Sequence, residues 1–211
     1  PVPYVKIQYS YDDFGANIWN MTPVSTTNIV GANSYAWLVE NRISPVADYQ
    51  IRISDYNDAA VSCTTTSPFK IRGDFNITSP VGGETWYVDE IRPITWTTIG
   101  NITAVNLEYS ANGTNWFTLK TQDGINATNV NNTGNLSIRV PDAITDTFKV
   151  RVLSTIDTTV YKVSNADSKV RGILDVTTPN ASTLWKVNDT VAITWTTTGS
   201  ISLVRVDYWD N

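Results

Sequence analysis

The chain has 211 residues, with 15 Lys plus Arg against 20 Asp plus Glu, no His, one Cys and one Met. A net charge of −5 argues against a nucleic-acid or anionic-membrane surface, both of which need clustered cations, and the lack of His excludes Ser-His-Asp or Cys-His catalysis and any His-ligated metal. A single Cys supports no disulfide framework, so stability rests on packing; 30 Thr and 20 Asn fit a secreted, polar-surfaced protein.

In chain order, residues 5–13 (VKIQYSYDD) alternate apolar and polar side chains, the period of a half-buried strand. A long hairpin follows at 10–19 (SYDDFGANIW), carrying Trp19. Asp12 and Asp13 with Asn17, and Asp55 with Asn57 and Asp58, are oxygen-rich sets that fit either Ca²⁺ or a solvated loop, and the loop is the preferred reading. Cys63 reads as a small apolar filler. Arg72-Gly73-Asp74 spells an adhesion tripeptide, but Arg171-Gly172-Ile173 stands in the matching place later on, so Arg-Gly is assigned to a junction. Residues 70–75 and 169–174 are expected to be short linkers.

The stretch 77–100 (ITSPVGGETWYVDEIRPITWTTIG) predicts a strand starting at Thr78-Ser79-Pro80 on a sheet edge, where Pro costs no ladder bond. Gly82-Gly83 makes a turn. Trp86 with Val88, then Ile94 with Trp96, point into a core, and Thr95, Thr97 and Thr98 suit the outer face. Residues 105–113 (VNLEYSANG), 138–140 and 148–152 alternate in the same way, with turn signals at Asn112-Gly113, Asp123-Gly124, Thr133-Gly134 and Pro141-Asp142. No segment holds helical spacing. Short strands at this density read as all-β, antiparallel β-sandwiches of the immunoglobulin or fibronectin type III kind.

The pattern then recurs. Shifting residues 74–112 by 99 places them on 173–211 with 14 of 39 positions identical, among them Pro80/Pro179, Trp86/Trp185, the run 94–98 on 193–197, and Gly100/Gly199. Residues 5–13 and 204–211 both resemble 105–113. A period near 100 residues is the size of a whole small domain. The organisation expected is the back part of a first unit at 1–73, a complete unit at 74–172, and the front part of a third at 173–211. With no initiator Met, leader or membrane span, the sequence is expected to be a window from a longer chain.

The framework ITSPVGGETWYVDEIRPITWTTIG…VNLEYSANGTNW…LSIRVPD…FKVRVLS resembles the Ser-Thr-rich GPI-anchored membrane family, whose domains occur in fungal cell-wall proteins and in tandem in microbial surface proteins. The resemblance implies tandem extracellular immunoglobulin-like sandwiches and carries over no catalytic residue. Asp89-Glu90 departs from it, since such sequences often have Gly there.

Of the eight Trp, Trp86/Trp185, Trp96/Trp195 and Trp19/Trp116 recur at equivalent positions, and Trp37 falls where the second unit has Ile138; these seven are read as structural, core or hairpin-packing residues. Trp209, aligned with Ser110 on an outward face, is the one left for contact with a ligand. Glycosylation sequons occur at Asn20, Asn76, Asn101, Asn112, Asn126, Asn131, Asn135, Asn180 and Asn188; they read either as a glycosylated exterior or as a Thr/Asn-rich surface. No catalytic residue and no cofactor are expected. The expected function is a non-catalytic structural repeat in an extracellular filament, sheath, stalk or surface layer. Its partners would be copies of itself or neighbouring repeats, and cell-wall glycan. The alternative is an adhesive or carbohydrate-binding module.

Overall fold

The computed structural model describes residues 4–21, 34–42 and 48–209. Among these the regular structure is all β, with no α-helix, in two compact units. The first comprises residues 1–73 and 99–101; the second comprises 74–98 and 102–211.

The first unit holds β1 (Val5–Ser10), β2 (Ile18–Asn20), β3 (Gln50–Asp55) and β4 (Ser62–Thr64) in one antiparallel sheet, ordered β2-β1-β3-β4. Its core is aromatic. The fully buried Tyr9 ring lies 4.9 Å from Trp37, 5.3 Å from Trp19 and 5.6 Å from Tyr49. Ile7, Met21 and Ile71 complete the cluster. Tilted ring pairs at these separations add to simple burial, because the positive edge of one ring meets the negative face of another.

The second unit holds β5 (Asp74–Ser79), β6 (Thr85–Tyr87), β7 (Ile91–Ile99), β8 (Ala104–Ser110), β9 (Phe117–Thr118), β10 (Lys120–Thr121), β11 (Val130–Asn131), β12 (Asn135–Arg139), β13 (Thr145–Ser154), β14 (Tyr161–Val163), β15 (Ser168–Arg171), β16 (Ile173–Thr178) and β17 (Thr194–Thr198). One sheet runs β10-β12-β7-β5; the other runs β11-β8-β13-β15-β6, with β9 beside β8 and β14 beside β13. Phe75, Ile77, Ile94, Trp96 and Ile138 from the first sheet, and Val105, Leu107, Phe148, Val150 and Val152 from the second, are buried. The result is β-sandwich-like, with period-two strands supplying one apolar face each. One pairing is parallel: β6 lies beside β15, with Trp86 opposite Val170.

The segment 77–100 differs from expectation at its start. Pro80 does not open the strand; β5 begins at Asp74 and ends at Ser79, at the sheet edge. A Pro there ends pairing, since it has no N–H to donate. Gly82 and Gly83 take positive φ, and a Cβ on Gly82 would sit 2.3 Å from the Ala166 Cβ. The Glu84 carboxylate accepts the N–H groups of Val81 and Gly82 and the Ser168 hydroxyl, tying the turn to β15. Trp86 and Trp96 are both 3% exposed. The Trp96 indole N–H donates to Asn132 Oδ1 at 2.7 Å, and the Asn132 amide donates to the Ile102 carbonyl at 2.7 Å. A buried indole keeps its donor satisfied in this way.

The two units contain matching sheets. In the first, β1 pairs β3 with Val5 opposite Asp55 and Gln8 opposite Arg52; in the second, β8 pairs β13 with Val105 opposite Ser154 and Glu108 opposite Arg151. Offsets of 100 for β1 and 99 for β3 carry one register onto the other. The β3–β4 pairing (Arg52 opposite Thr64) maps onto β13–β14 (Arg151 opposite Val163) with the offset of 99. Tyr9 faces Trp19 across β1–β2, whereas Tyr109 faces Phe117 across β8–β9. Trp19 therefore corresponds in register to Phe117, not to Trp116, a correction that arises because the 10–19 loop is longer.

Residues 173–209 form one two-stranded sheet, β16–β17. It repeats a detail of β5–β7: Thr78 and Thr95 hydroxyls meet at 2.7 Å, and Thr177 and Thr194 hydroxyls at 2.6 Å. The expected linker 169–174 is instead strand on both sides of Gly172, with β15 ending at Arg171 and β16 starting at Ile173. A Cβ on Gly172 would meet the Ile201 side chain at 2.7 Å and the Thr198 carbonyl at 2.8 Å. Residues 203–209, aligned with β8, form no strand.

Two outcomes follow. Trp96→Ala removes a buried indole and its hydrogen bond to Asn132 Oδ1, so denaturant unfolding of the second unit should lose about 3–5 kcal/mol. Asp89 and Asn188, 99 residues apart, have φ of 65° and 73°, the left-handed region that the expected Gly would occupy freely. Thermal unfolding should show Asp89→Gly within about 1 kcal/mol of the parent or more stable. Asp89→Val should lose about 1–2 kcal/mol, because a β-branched side chain crowds the backbone at positive φ where Asp is tolerated.

Candidate functional site

The apolar face of 173–209 is the strongest candidate. Its side chains match buried ones of the second unit, yet they are exposed: Trp195 is 40% exposed where Trp96 is 3%, Trp185 44% where Trp86 is 3%, Val176 59% where Ile77 is 6%, and Leu174 46% where Phe75 is 2%. Trp185 and Trp195 were expected in a core and are not there. The reason is local: among the described residues β16 and β17 pair only with each other, and no second sheet lies over them. Exposed apolar side chains of this kind make the face a candidate interaction surface.

The hairpin tips form a second set of built features. The Asp12 carboxylate accepts the Ser10 hydroxyl at 2.7 Å and the Ala16 and Asn17 N–H groups at 3.0 and 2.9 Å. Asn112, its counterpart, accepts through Oδ1 from the Ser110 hydroxyl and from the N–H groups of Thr114 and Asn115. Each side chain substitutes for backbone partners the loop lacks, an Asx cap. The Ser10 hydroxyl, with help from Asn17 and Ala16, holds the Asp12 carboxyl down at about 2.

Beneath each tip an Arg lies on an aromatic ring. The Arg52 guanidinium sits 4.2 Å from the Phe14 ring and donates to Gln8 Oε1 at 3.0 Å. That of Arg151 sits 4.4 Å from the Trp116 ring and pairs with Glu108 at 2.5 Å. Trp116 is thus half-buried against Arg151, a hairpin-packing place rather than a core one. With one face taken by a cation, it is a poor sugar-stacking platform. On the first unit, Arg42 similarly lies 4.6 Å from Trp19 and pairs with Glu40, which accepts the Tyr9 hydroxyl. Burial first, then Glu40, pushes the Tyr9 hydroxyl up to about 12.

The remaining candidates are dispersed. All nine sequon Asn are exposed. The side chains of Asn112 and Asn180 are turn caps, Asn180 accepting from the Ser182 N–H and hydroxyl. Asp55 and Asp58 each accept a nearby backbone N–H, and the described residues contain no cluster of three or more His, Cys, Asp or Glu. Cys63 is exposed on β4, not a packed filler; it lies opposite Ile53, itself 46% exposed. Trp209 is 87% exposed, whereas Ser110, its aligned partner, is buried beneath the 111–115 turn. Asp74 accepts the Phe75 N–H at the start of β5. A shallow cleft of about 320 Å³, lined by Asp89, Lys120, Arg139 and Asp142 among others, mixes both charge signs. Asn132 and Arg151 were not singled out from sequence; Asn132 stands in a run of Asn, and Arg151 in a strand with an ordinary polar alternation.

No family model matches the chain, and no curated protein matches it. Among the described residues no helix is long and apolar enough to cross a membrane.

The Asp12 cap makes a pH prediction. A carboxyl held below its ordinary 3.8 stabilises the folded hairpin fully above that value and loses the effect as pH falls through about 2. An NMR titration should place the Asp12 midpoint near 2, and Ser10→Ala should raise it towards the ordinary value.

Proposed function

We propose that the chain is a non-catalytic structural segment of tandem immunoglobulin- or fibronectin III-like repeats, in an extended extracellular layer, sheath or filament. The observation that carries this reading is the shared order and register of β2-β1-β3-β4 and β9-β8-β13-β14. Two unrelated sheets would have no reason to share both strand order and register, nor to place an Arg on an aromatic ring at the same cross-strand site.

Three further features support it. The Thr–Thr contact and the left-handed Asp89/Asn188 position recur 99 residues apart. A loop contact recurs as well, with donors 99 and acceptors 101 residues apart: within the first unit the Asn101 N–H donates to Asn41 Oδ1 at 2.8 Å, and within the second the Ser200 N–H donates to Asp142 Oδ1 at 2.9 Å. What recurs is framework, as expected of units whose task is spacing and stiffness. The polar exterior with nine exposed sequons fits an extracellular setting and, in an organism that glycosylates, a glycan coat.

The test is antibody labelling of intact cells in the electron microscope, together with a glycan array. Label spread along a continuous layer or filament, without glycan binding, is the expected result. Soluble protein released to the medium that binds a defined glycan at micromolar concentration would overturn the structural reading in favour of an adhesive module.

A further inference from the structure

The tip between β8 and β9 is built around one reactive bond. Asn112-Gly113 is the one Asn-Gly pair in the sequence, and Asn112, Gly113 and Thr114 are all exposed. Four donors converge on Asn112 Oδ1: the Ser110 hydroxyl at 3.2 Å, the Thr114 N–H and hydroxyl at 3.0 Å each, and the Asn115 N–H at 2.9 Å. They polarise the side-chain carbonyl and stabilise negative charge arriving on its oxygen, as the donors of an oxyanion hole do. Among the described residues, neither the Gly113 N–H nor Asn112 Nδ2 has a hydrogen-bond partner. Gly113 has no Cβ to hinder an attack by its nitrogen, and nothing lies within 4 Å of the place one would take. Asn180 supplies the contrast. Its Oδ1 accepts the Ser182 N–H, the Ser182 hydroxyl and the Thr183 hydroxyl, but Ala181 follows it.

We infer that Asn112 is a self-modifying site, whose side-chain amide is converted to an acid by the Gly113 nitrogen with the help of the surrounding turn. The Gly113 N–H gives its proton to solvent and the nitrogen bonds to Asn112 Cγ. Charge collects on Oδ1, where the four donors meet it. The bond from Cγ to Nδ2 then breaks, and Nδ2 takes a proton and leaves as ammonia. Water opens the resulting five-membered imide at either carbonyl, giving aspartate or isoaspartate. The balance is one water in and one ammonia out, with no oxidant or reductant, and the tip gains one negative charge. The turn accepts the aspartate product. In the first unit the same tip carries Asp12, whose carboxylate takes the Ser10 hydroxyl and the Ala16 and Asn17 N–H groups. Isoaspartate adds a carbon to the main chain and displaces the cap, so aspartate is the product that leaves the hairpin intact.

Peptide mapping by tandem mass spectrometry tests this on the 211-residue chain, made in a host that adds no glycan, because a glycan would occupy Nδ2. The chain is aged in mildly alkaline buffer, folded and, in parallel, unfolded in guanidinium chloride. The expected result is conversion at Asn112 with Asn180 unchanged, several-fold faster in the folded chain than in the unfolded one. Thr114→Val removes one donor from an exposed position and should slow conversion several-fold in the folded chain, with no effect in denaturant. Gly113→Asp should abolish it. The first unit has Asp13 at that place with φ of 53°, against 76° at Gly113, so the turn accepts the side chain, and circular dichroism should show both variants folded. An Asn112 that stays intact, a folded chain that converts no faster than the unfolded one, or a folded rate unmoved by Thr114→Val would each overturn the inference.

Discussion

A sheet with one apolar face has to be covered, and the rest of the structure follows from how that requirement is met. In the second unit Trp96, Ile94, Phe75 and Ile77 meet Val105, Leu107, Phe148, Val150 and Val152, and water is excluded from all of them. Residues 173–209 repeat the first set of side chains without the second. Local chemistry is nearly unchanged: the turn at Asn188, the hydroxyl contact of Thr177 with Thr194 and the β16–β17 pairing all form. What is lost is burial, by tens of per cent of each side chain's surface. Strand formation is dictated locally here, and core formation is not.

The covering sheet has its own internal logic. A central strand is joined to its edge neighbour, β1 to β2 and β8 to β9, by a hairpin whose tip is capped by an Asx side chain, Asp12 in one case and Asn112 in the other. An Arg from the neighbouring strand, Arg52 or Arg151, then closes over the hairpin's aromatic residue. The outer face is thereby held by polar and cation–π contacts while the inner face remains free to pack. The charges involved differ, Gln8 in one sheet and Glu108 in the other, so geometry is kept while the electrostatics vary.

Most of the strands were legible in the sequence because period-two alternation reports a half-buried face directly, as at Val105, Leu107 and Tyr109. Trp86 and Trp96 were legible as buried because they sit in phase with that alternation. Other features depend on distant residues. The exposure of Trp185 and Trp195 goes with β16 and β17 having no further sheet over them among the described residues, which no local pattern encodes. The pairing of Trp19 with the place of Phe117 turns on loop length, since two extra hairpin residues move the register. Ser110 is buried by the turn that follows it, and Cys63 lies on a three-residue strand too short to read, opposite the partly exposed Ile53. The parallel pairing of β6 with β15 joins segments more than 80 residues apart and leaves no periodic trace. The role of Asn132 as acceptor for the Trp96 indole was hidden in a stretch where Asn is common.

The central claim is that residues 173–209 are the front half of a sandwich whose missing sheet is of the β8–β13–β14 kind. It is tested most directly by supplying that sheet covalently: residues 74–203 continued by a second copy of 104–172. Amide hydrogen exchange across 194–198, compared with 95–99, reads the outcome. The account predicts that the two segments become equally protected in the extended chain, while 194–198 exchanges far faster in dilute 74–211. Exchange at 194–198 that stays fast after the addition would contradict it.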